Sequence, residues 1–355
     1  MRILYAPMKL RKTQNKIHYL SRQSNDKSLD FLLLEEAIKK ENPAIKQVFR
    51  HKRLKDESSL TLSYIFSVFG DMWELASAKL VILDSYSIPA CCLNHKKGLE
   101  IVQIWHALGG IKKSGLQSVG KAQGRNEKIS QALCMHRGYT RLLAPSKATA
   151  EFFKVVFGCK DENMIIFSLP RVDELLDGKN RKEEFLELNP EFRGKTIVSY
   201  IPTFRNNDNV YAESIYDAFK SSKRYKLIIS AHPLSETAKQ DKYKYNGKFT
   251  SEDFIKLSDV VISDYSACSF EASLFPRPFY FYVPDYDIYV NEIGLNIDMK
   301  KEMPECTFTD AGDLIYAMEN RPYDLEKLNE FSRKYVEYRG TDNSERLAKY
   351  IISLI

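Results

Sequence analysis

Two histidines stand where short apolar runs stop: EIVQIW gives way to His106, and LIIS is followed two residues later by His232. A third run, TIVSYI, leads into Thr203 and Arg205, and a fourth, VVIS, into Asp264, Tyr265 and Ser266. A neutral imidazole can take a proton near pH 7, and a guanidinium is suited to two-pronged contact with phosphate. The stretch IWHALGGIKKSG adds Gly109 and Gly110, which let a backbone approach a ligand closely, and Lys112 and Lys113, point charges that neutralise phosphate. Together these types are suited to holding an anion beside a histidine base. Singly, each has an ordinary explanation: a capping serine, a strand-end histidine, an arginine on a solvated loop. Their weight comes from recurring at one place, just past a strand.

The elements that must position them follow from periodicity. Residues 259–285, DVVISDYSACSFEASLFPRPFYFYVPD, read as an apolar strand, a polar corner, an amphipathic helix through Phe270, Glu271 and Leu274, a proline stop and a second strand. Ser266 is expected to cap that helix and aim its free N–H groups at an anion. Further strands are expected at Lys16 to Leu20, Leu80 to Asp84, Glu100 to Trp105, Met164 to Phe167, Thr196 to Ile201 and Tyr225 to Ser230. Helices are expected at Leu29 to Lys40, Leu60 to Phe69, Met72 to Ala78, Tyr211 to Lys220 and Ser251 to Leu257, with one capped by Ser146 and stopped at Gly158. Strands alternating with helices predict parallel, doubly wound sheets. A polar segment, Asp177 to Arg193, separates two halves of this rhythm. The expectation is an α/β protein of two Rossmann-like domains, 1–176 and 177–355, facing a central cleft, with the last helix able to pack back on the first domain.

At 355 residues the chain suits two cores rather than one. A net charge of +6 is too weak to argue for nucleic acid, and is compatible with anionic substrates or an anionic membrane surface. Between His95 and Ser130 seven Lys and Arg residues face two glutamates, making that segment a candidate for either partner. Six cysteines without CxxC spacing fit reduced thiols in a cytosol and give no zinc pattern; clustered carboxylates are absent as well, so no metal or cofactor is expected. No GxGxxG or P-loop motif is present, and no apolar run is long enough to span a bilayer.

The ordered motifs IWHALGGIKKSG, SLPRVDEL, YIPTFRN, SAHPL and DVVISDYSACSFEASLFPRPFYFY resemble those of the CDP-glycerol glycerophosphotransferase family, the teichoic acid primases and polymerases. The resemblance runs from about Asn15 to the NSERL near the end. It implies a GT-B-like fold and transfer of a polyol phosphate from a CDP-polyol to a hydroxyl of a lipid-linked saccharide or polyol-phosphate acceptor, with release of CMP, by a cytoplasmic protein peripheral at the inner face of the membrane. It implies His106 as base, His232 near the donor pyrophosphate, Thr203 and Arg205 as its PT-aromatic-R contacts, and Asp264, Tyr265, Ser266 and Glu271 as the nucleotide- and phosphate-binding unit. Pro170, Arg171 and Asp173 match its PR-x-D element, and Arg171, Lys112 and Lys113 join the substrate contacts. Three departures stand out: Ala267 where a second serine is usual, Glu292-Ile293-Gly294 where Arg-Gly is usual, and Leu108-Gly109-Gly110 after the WH pair. A nucleotide-sugar glycosyltransferase and a non-catalytic CDP-binding scaffold are the alternatives.

Overall fold

The computed structural model describes residues 1–53, 62–121, 124–205, 208–231 and 235–355, with the side chains of 62, 63 and 208 excepted. His232 lies outside the described residues. The chain forms two compact units. Unit 1 comprises Met1–Leu108, Ser114–Glu174 and Glu337–Ile355; unit 2 comprises Gly109–Lys113 and Leu175–Val336.

Unit 1 is built on a six-stranded parallel sheet of order β2-β1-β3-β4-β5-β6. Its strands are β1 (Lys16–Ser21), β2 (Lys46–His51), β3 (Leu80–Leu83), β4 (Glu100–Gln103), β5 (Arg141–Ala144) and β6 (Met164–Ile166). The central strand β3, LVIL, is buried on both faces, as an apolar run in a parallel sheet should be. Ser146 accepts the Thr149 N–H at the start of the helix Lys147–Phe157, which ends at Gly158 with φ of 62°. The helix Leu62–Leu75 runs unbroken where a gap near Gly70-Asp71 is expected from sequence. The Arg50 guanidinium occupies the space beside Gly70, where a Cβ would sit 2.1 Å from it, and Arg50 Nε bonds Asp71 at 2.8 Å. A tertiary contact thus overrides the local glycine signal.

Unit 2 carries a five-stranded parallel sheet of order β11-β10-β9-β7-β8. The strands are β7 (Thr196–Ile201), β8 (Tyr225–Ile229), β9 (Val260–Ser263), β10 (Phe279–Tyr282) and β11 (Thr307–Phe308). The segment 177–193, read from sequence as a polar separator, instead contributes the helix Lys182–Leu188 to this unit. Phe185 is fully buried there against Phe192, Phe249 and Phe254. Its apolar residues are too few for a periodic signal but large enough to anchor it.

Each sheet reverses its strand order at one point: between β1 and β3 in unit 1, and between β7 and β9 in unit 2. The crevice past the carboxyl ends of strands at such a reversal is where open α/β sheets bind ligands.

The final helix, Asn343–Ser353, packs on Leu29–Glu41 within unit 1 and buries Leu347, Ala348 and Ile351. Asp173 ties its start: the carboxylate accepts the Asn343 N–H and the Ser344 N–H, both at 2.8 Å, and the Ser344 hydroxyl at 2.6 Å. Among the described residues, no helix is long and apolar enough to cross a membrane.

Candidate active site

In unit 2 the register of β7 and β9 pairs Ile201 with Ser263, and the Ser263 hydroxyl donates to the Ile201 carbonyl at 2.7 Å. That lock brings the residues beyond the two strand ends together. Asp264, fully buried, accepts the Thr203 N–H at 2.7 Å on one oxygen and the Arg205 guanidinium on the other. Arg205 also donates to Asp285, which accepts the Tyr265 hydroxyl at 3.1 Å. Tyr265 is buried and stacks on Tyr289 with centroids 3.6 Å apart. Burial alone would lower the Arg205 pKa, but the Asp264 and Asp285 carboxylates outweigh it and hold the pKa above its ordinary value.

Arg205 and Tyr265 are therefore already occupied in building the corner. Two groups there remain open. The Thr203 hydroxyl is buried with no hydrogen-bond partner, and Lys112 has no carboxylate within ion-pair distance among the described residues. Burial lowers the Lys112 pKa, Asp264 pulls it back up, and Arg205 pushes it down. Lys112 thus lies within electrostatic reach of the corner as its uncommitted cation.

Lys112 is placed there by the loop Gly109–Lys113. A Cβ on Gly109 would sit 2.6 Å from the Phe270 ring, so only glycine fits. Asn296 donates to the carbonyls of Gly110 at 3.1 Å and Lys112 at 3.0 Å, and the Lys113 N–H donates to Gly294 at 2.9 Å. Gly294 has φ of 83° and lies against the Lys113 side chain, so it serves a backbone that L-residues avoid.

Ser266 does not cap as the sequence suggests. The helix that follows is short, Cys268–Ala272, with Ala267 at its cap position and no side-chain bond there. Ser266 Oγ instead accepts the Cys268 N–H at 3.4 Å, a long contact. With Asp264 and Tyr265 drawn into the arginine cluster, the chain enters the helix one residue late. Glu271 sits on this helix, 4% exposed.

In unit 1 His106 follows β4 after a backbone turn that puts Trp105 at φ of 61°, a strained value for a bulky residue. Gln103, buried at the strand end, pins the turn: its Oε1 accepts the Trp105 N–H at 2.9 Å and its Nε2 donates to the Ser85 carbonyl at 3.1 Å. The His106 ring lies 3.9 Å from the Trp105 ring, centroid to centroid. His106 Nδ1 is 2.8 Å from the Asp84 carbonyl. Nδ1 also lies 3.2 Å from the Gln23 side-chain amide, whose oxygen and nitrogen can exchange places; the carbonyl at 2.8 Å only accepts, which assigns the proton to Nδ1 and leaves the Nε2 lone pair free. Burial pushes the His106 pKa down to about 4; the Asp84 carbonyl raises it somewhat and Arg171 lowers it further. The ring is neutral at physiological pH.

Asp84 is 2% exposed, and its carboxylate lies near the Ser21 and Ser85 hydroxyls without a well-aligned hydrogen bond to either. Burial raises its pKa to about 6, partly countered by the Ser21 and Ser85 hydroxyls. Arg171, expected from sequence among the substrate contacts, is instead turned onto buried Asp30, with Nε at 2.8 Å and its own N–H at 2.8 Å. With Asp173 on the last helix, the PR-x-D element acts here as a clamp within unit 1. Sequence reasoning did not single out Asp285, Asp84 or Gln103 for the site. LVILD did mark Asp84 as a carboxylate ending a buried strand, whereas nothing local marks Asp285, which meets Arg205 across 80 residues.

The sequence profile of the family described as CDP-glycerol:poly(glycerophosphate) glycerophosphotransferase matches residues 4–353. The chain is similar to the teichoic acid ribitol-phosphate primase of Bacillus spizizenii, 24% identical over 89% of this chain and 85% of that one. It is also similar to the teichoic acid glycerol-phosphate primase of Staphylococcus aureus, 30% identical over 79% of this chain and 75% of that one. Among solved structures the wall teichoic acid polymerase TagF superposes with a TM-score of 0.73 at 18% identity, covering 99% of this chain and 92% of that one. That likeness is one of fold, and the fold is GT-B-like.

Proposed function

The chain belongs to the CDP-glycerol:poly(glycerophosphate) glycerophosphotransferase family, and from that premise we propose that it transfers a polyol phosphate from a CDP-polyol to a hydroxyl of a lipid-linked or glycan acceptor. The family match selects this over the nucleotide-sugar alternative. Both glycerol- and ribitol-phosphate primases are among its relatives; glycerol phosphate is the polyol we assign first.

The acceptor oxygen bonds to the polyol-bearing phosphorus, the bridging P–O bond breaks, and CMP leaves with the electron pair. The hydroxyl proton passes to Nε2 of His106. The observation that carries this assignment is the 2.8 Å contact of Nδ1 with the Asp84 carbonyl, which assigns the proton to Nδ1 and leaves Nε2 to act as base. Such transfer needs positioning and charge neutralisation more than covalent help. Lys112 and the Thr203 hydroxyl are assigned to the donor's diphosphate, with Lys113, Glu271, Ser266 and the N–H groups after it as further donor contacts. Arg205, Asp264 and Tyr265 hold that corner in shape. His232 retains its proposed place near the pyrophosphate on sequence grounds alone.

The test is mass spectrometry of acceptor products after incubation with CDP-glycerol and with CDP-ribitol. Wild type is expected to add mass of one polyol phosphate or more and release CMP. His106→Ala should cut CMP release by about a hundredfold or more; wild-type release by that variant would sink the assignment of the base.

The same reading places the protein at the inner, anionic membrane surface. Supporting it, Ile3 and Leu10 are each 88% exposed, Phe66 is 71% and Trp73 49% exposed. The first 12 residues carry four Lys and Arg (Arg2, Lys9, Arg11 and Lys12) and no acidic residue. Arg11 stacks over Trp73 at 3.8 Å, and Lys96 donates to the Arg11 carbonyl. Apolar surface rimmed by cations fits an anionic bilayer. Of the basic segment 95–130, Lys112 and Lys113 belong to unit 2 and the other described Lys and Arg residues to unit 1.

A further inference from the structure

Lys112, the uncommitted cation of the corner, stands on a segment with no helix or strand of its own. The residues on either side of Gly109–Lys113, Leu108 and Ser114, belong to unit 1. A few contacts must therefore tie these five residues to unit 2. Two are backbone rungs. The Lys113 N–H donates to the Gly294 carbonyl at 2.9 Å and the Asn296 N–H to the Ile111 carbonyl at 2.7 Å, flanking an antiparallel bridge between Lys112 and Leu295. Ile111, fully buried, sets the depth of the segment. Neighbouring side chains of an extended chain point to opposite sides. One apolar anchor and one bridge thus fix where Lys112 starts but resist poorly a twist about the segment's own axis, and so short a ribbon is marginal by itself.

The side chain of Asn296 supplies the missing restraint. Its Nδ2 donates to the carbonyl of Gly110 at 3.1 Å and to that of Lys112 at 3.0 Å. Carbonyls only accept, so the amide nitrogen, not its oxygen, must face them. With no sheet beside the segment, these two backbone acceptors take their partner from one side chain. The backbone is gripped on both sides of Ile111, which keeps the Lys112 side chain within electrostatic reach of Asp264 and Arg205.

We infer that Asn296 is a positioning residue for the donor, acting on the diphosphate through Lys112 by holding residues 110–112 in the rotation that presents the ammonium to it. The inference rests on the transferase reading and on the place of Lys112 in it, and adds a residue that follows no strand and fits no strand-end pattern. Freed from Asn296, the segment keeps Ile111 in the core but lets the Lys112 side chain sample other directions. Donor binding then weakens, while bond exchange on donor already bound is kept.

The test is a double-mutant cycle read in the KM for CDP-glycerol and CDP-ribitol. Asn296→Ala should raise the donor KM about fivefold or more and leave kcat within about twofold. Asn296→Asp keeps the shape without an amide N–H and should do as much or more; Asn296→Gln should recover part of the loss. In the Lys112→Ala background Asn296→Ala should add less than about twofold, because the group it aims is already gone. The Lys113 amide should exchange hydrogen about tenfold faster or more in Asn296→Ala, with the melting temperature nearly unchanged. Losses that multiply in the double variant would make Asn296 a donor contact in its own right. A fall in kcat together with the melting temperature would make it scaffold. Either result would overturn the inference. If wild type releases no CMP from either donor, the transferase reading itself fails. The same cycle is then read in the dissociation constant of inorganic pyrophosphate by calorimetry. Absence of binding, or binding indifferent to Lys112→Ala or to Asn296→Ala, would overturn the positioning role separately.

Discussion

His106 and Asp84 share one backbone carbonyl contact but titrate in opposite senses. Burial favours the neutral imidazole, with a pKa near 4 in place of 6.5. Below about 6.5 the unfolded chain takes up a proton that the folded ring refuses, so this group's stabilising contribution is lost as pH falls from 6.5 towards 4. The ring proton resonances of His106 followed by NMR should show a midpoint near 4; a midpoint at 6.5 would mean that the ring is not held as described. Asp84 is raised from 3.8 to about 6. The fold favours its protonated form, so its contribution is present below 3.8 and lost as pH rises through about 6. Above that, the buried charge is a cost retained beside the base. Asp84→Asn should therefore raise the melting temperature at pH 7.5, corresponding to roughly 1–3 kcal/mol, and leave it nearly unchanged near pH 4. The same variant keeps the Asp84 backbone carbonyl that His106 Nδ1 contacts, so the midpoint of the His106 ring should stay well below 6.5.

At the scale of elements, much of the site was legible because parallel strands announce themselves as short apolar runs and ligand-facing residues follow them directly. Thr203, Arg205, Asp264 and His106 all occupy such positions. What could not be read is which partner each finds. Arg205 looked free to hold phosphate because its partners, Asp264 and Asp285, lie 59 and 80 residues away. Arg171 was misread for the same reason, its partner Asp30 being 141 residues distant. The Ser266 cap failed because local propensity lost to that arginine cluster. Arg205→Ala would leave two buried carboxylates facing each other and should cost roughly 3–5 kcal/mol. Lys112→Ala should leave the melting temperature nearly unchanged while raising the CDP-polyol KM about tenfold or more. A melting loss in Lys112→Ala as large as that in Arg205→Ala would remove the distinction between donor contact and scaffold.

For the whole molecule, two domains meeting at 176/177 were expected from length and rhythm; the chain passes between its two compact units at Glu174/Leu175 and at three other places, Leu108/Gly109, Lys113/Ser114 and Val336/Glu337. Gly109–Lys113 join unit 2, a fact hidden from the sequence because five residues carry no period. The only two tryptophans, Trp73 and Trp105, both lie in unit 1, so indole emission in a urea titration follows that unit while far-UV circular dichroism follows both. Removing 337–355 strips Leu347 and Ile351 from the helix Leu29–Glu41 and leaves Asp173 without its donors. The indole transition should move to lower urea or vanish, with a cooperative dichroism transition remaining from unit 2. A parallel loss of both would show that the two units do not fold separately.

This threading also sets an order of manufacture. On the ribosome, residues 175–336 are made before 337–355, so every strand of unit 2 has been made before the last helix of unit 1 exists. The half carrying the histidine is the earlier begun and the later finished. Until its closing helix arrives, the nascent chain holds an exposed apolar groove along Leu29–Glu41 and an Asp173 carboxylate awaiting its N–H donors. The unit that holds the proposed base is therefore the last of the two to complete its fold.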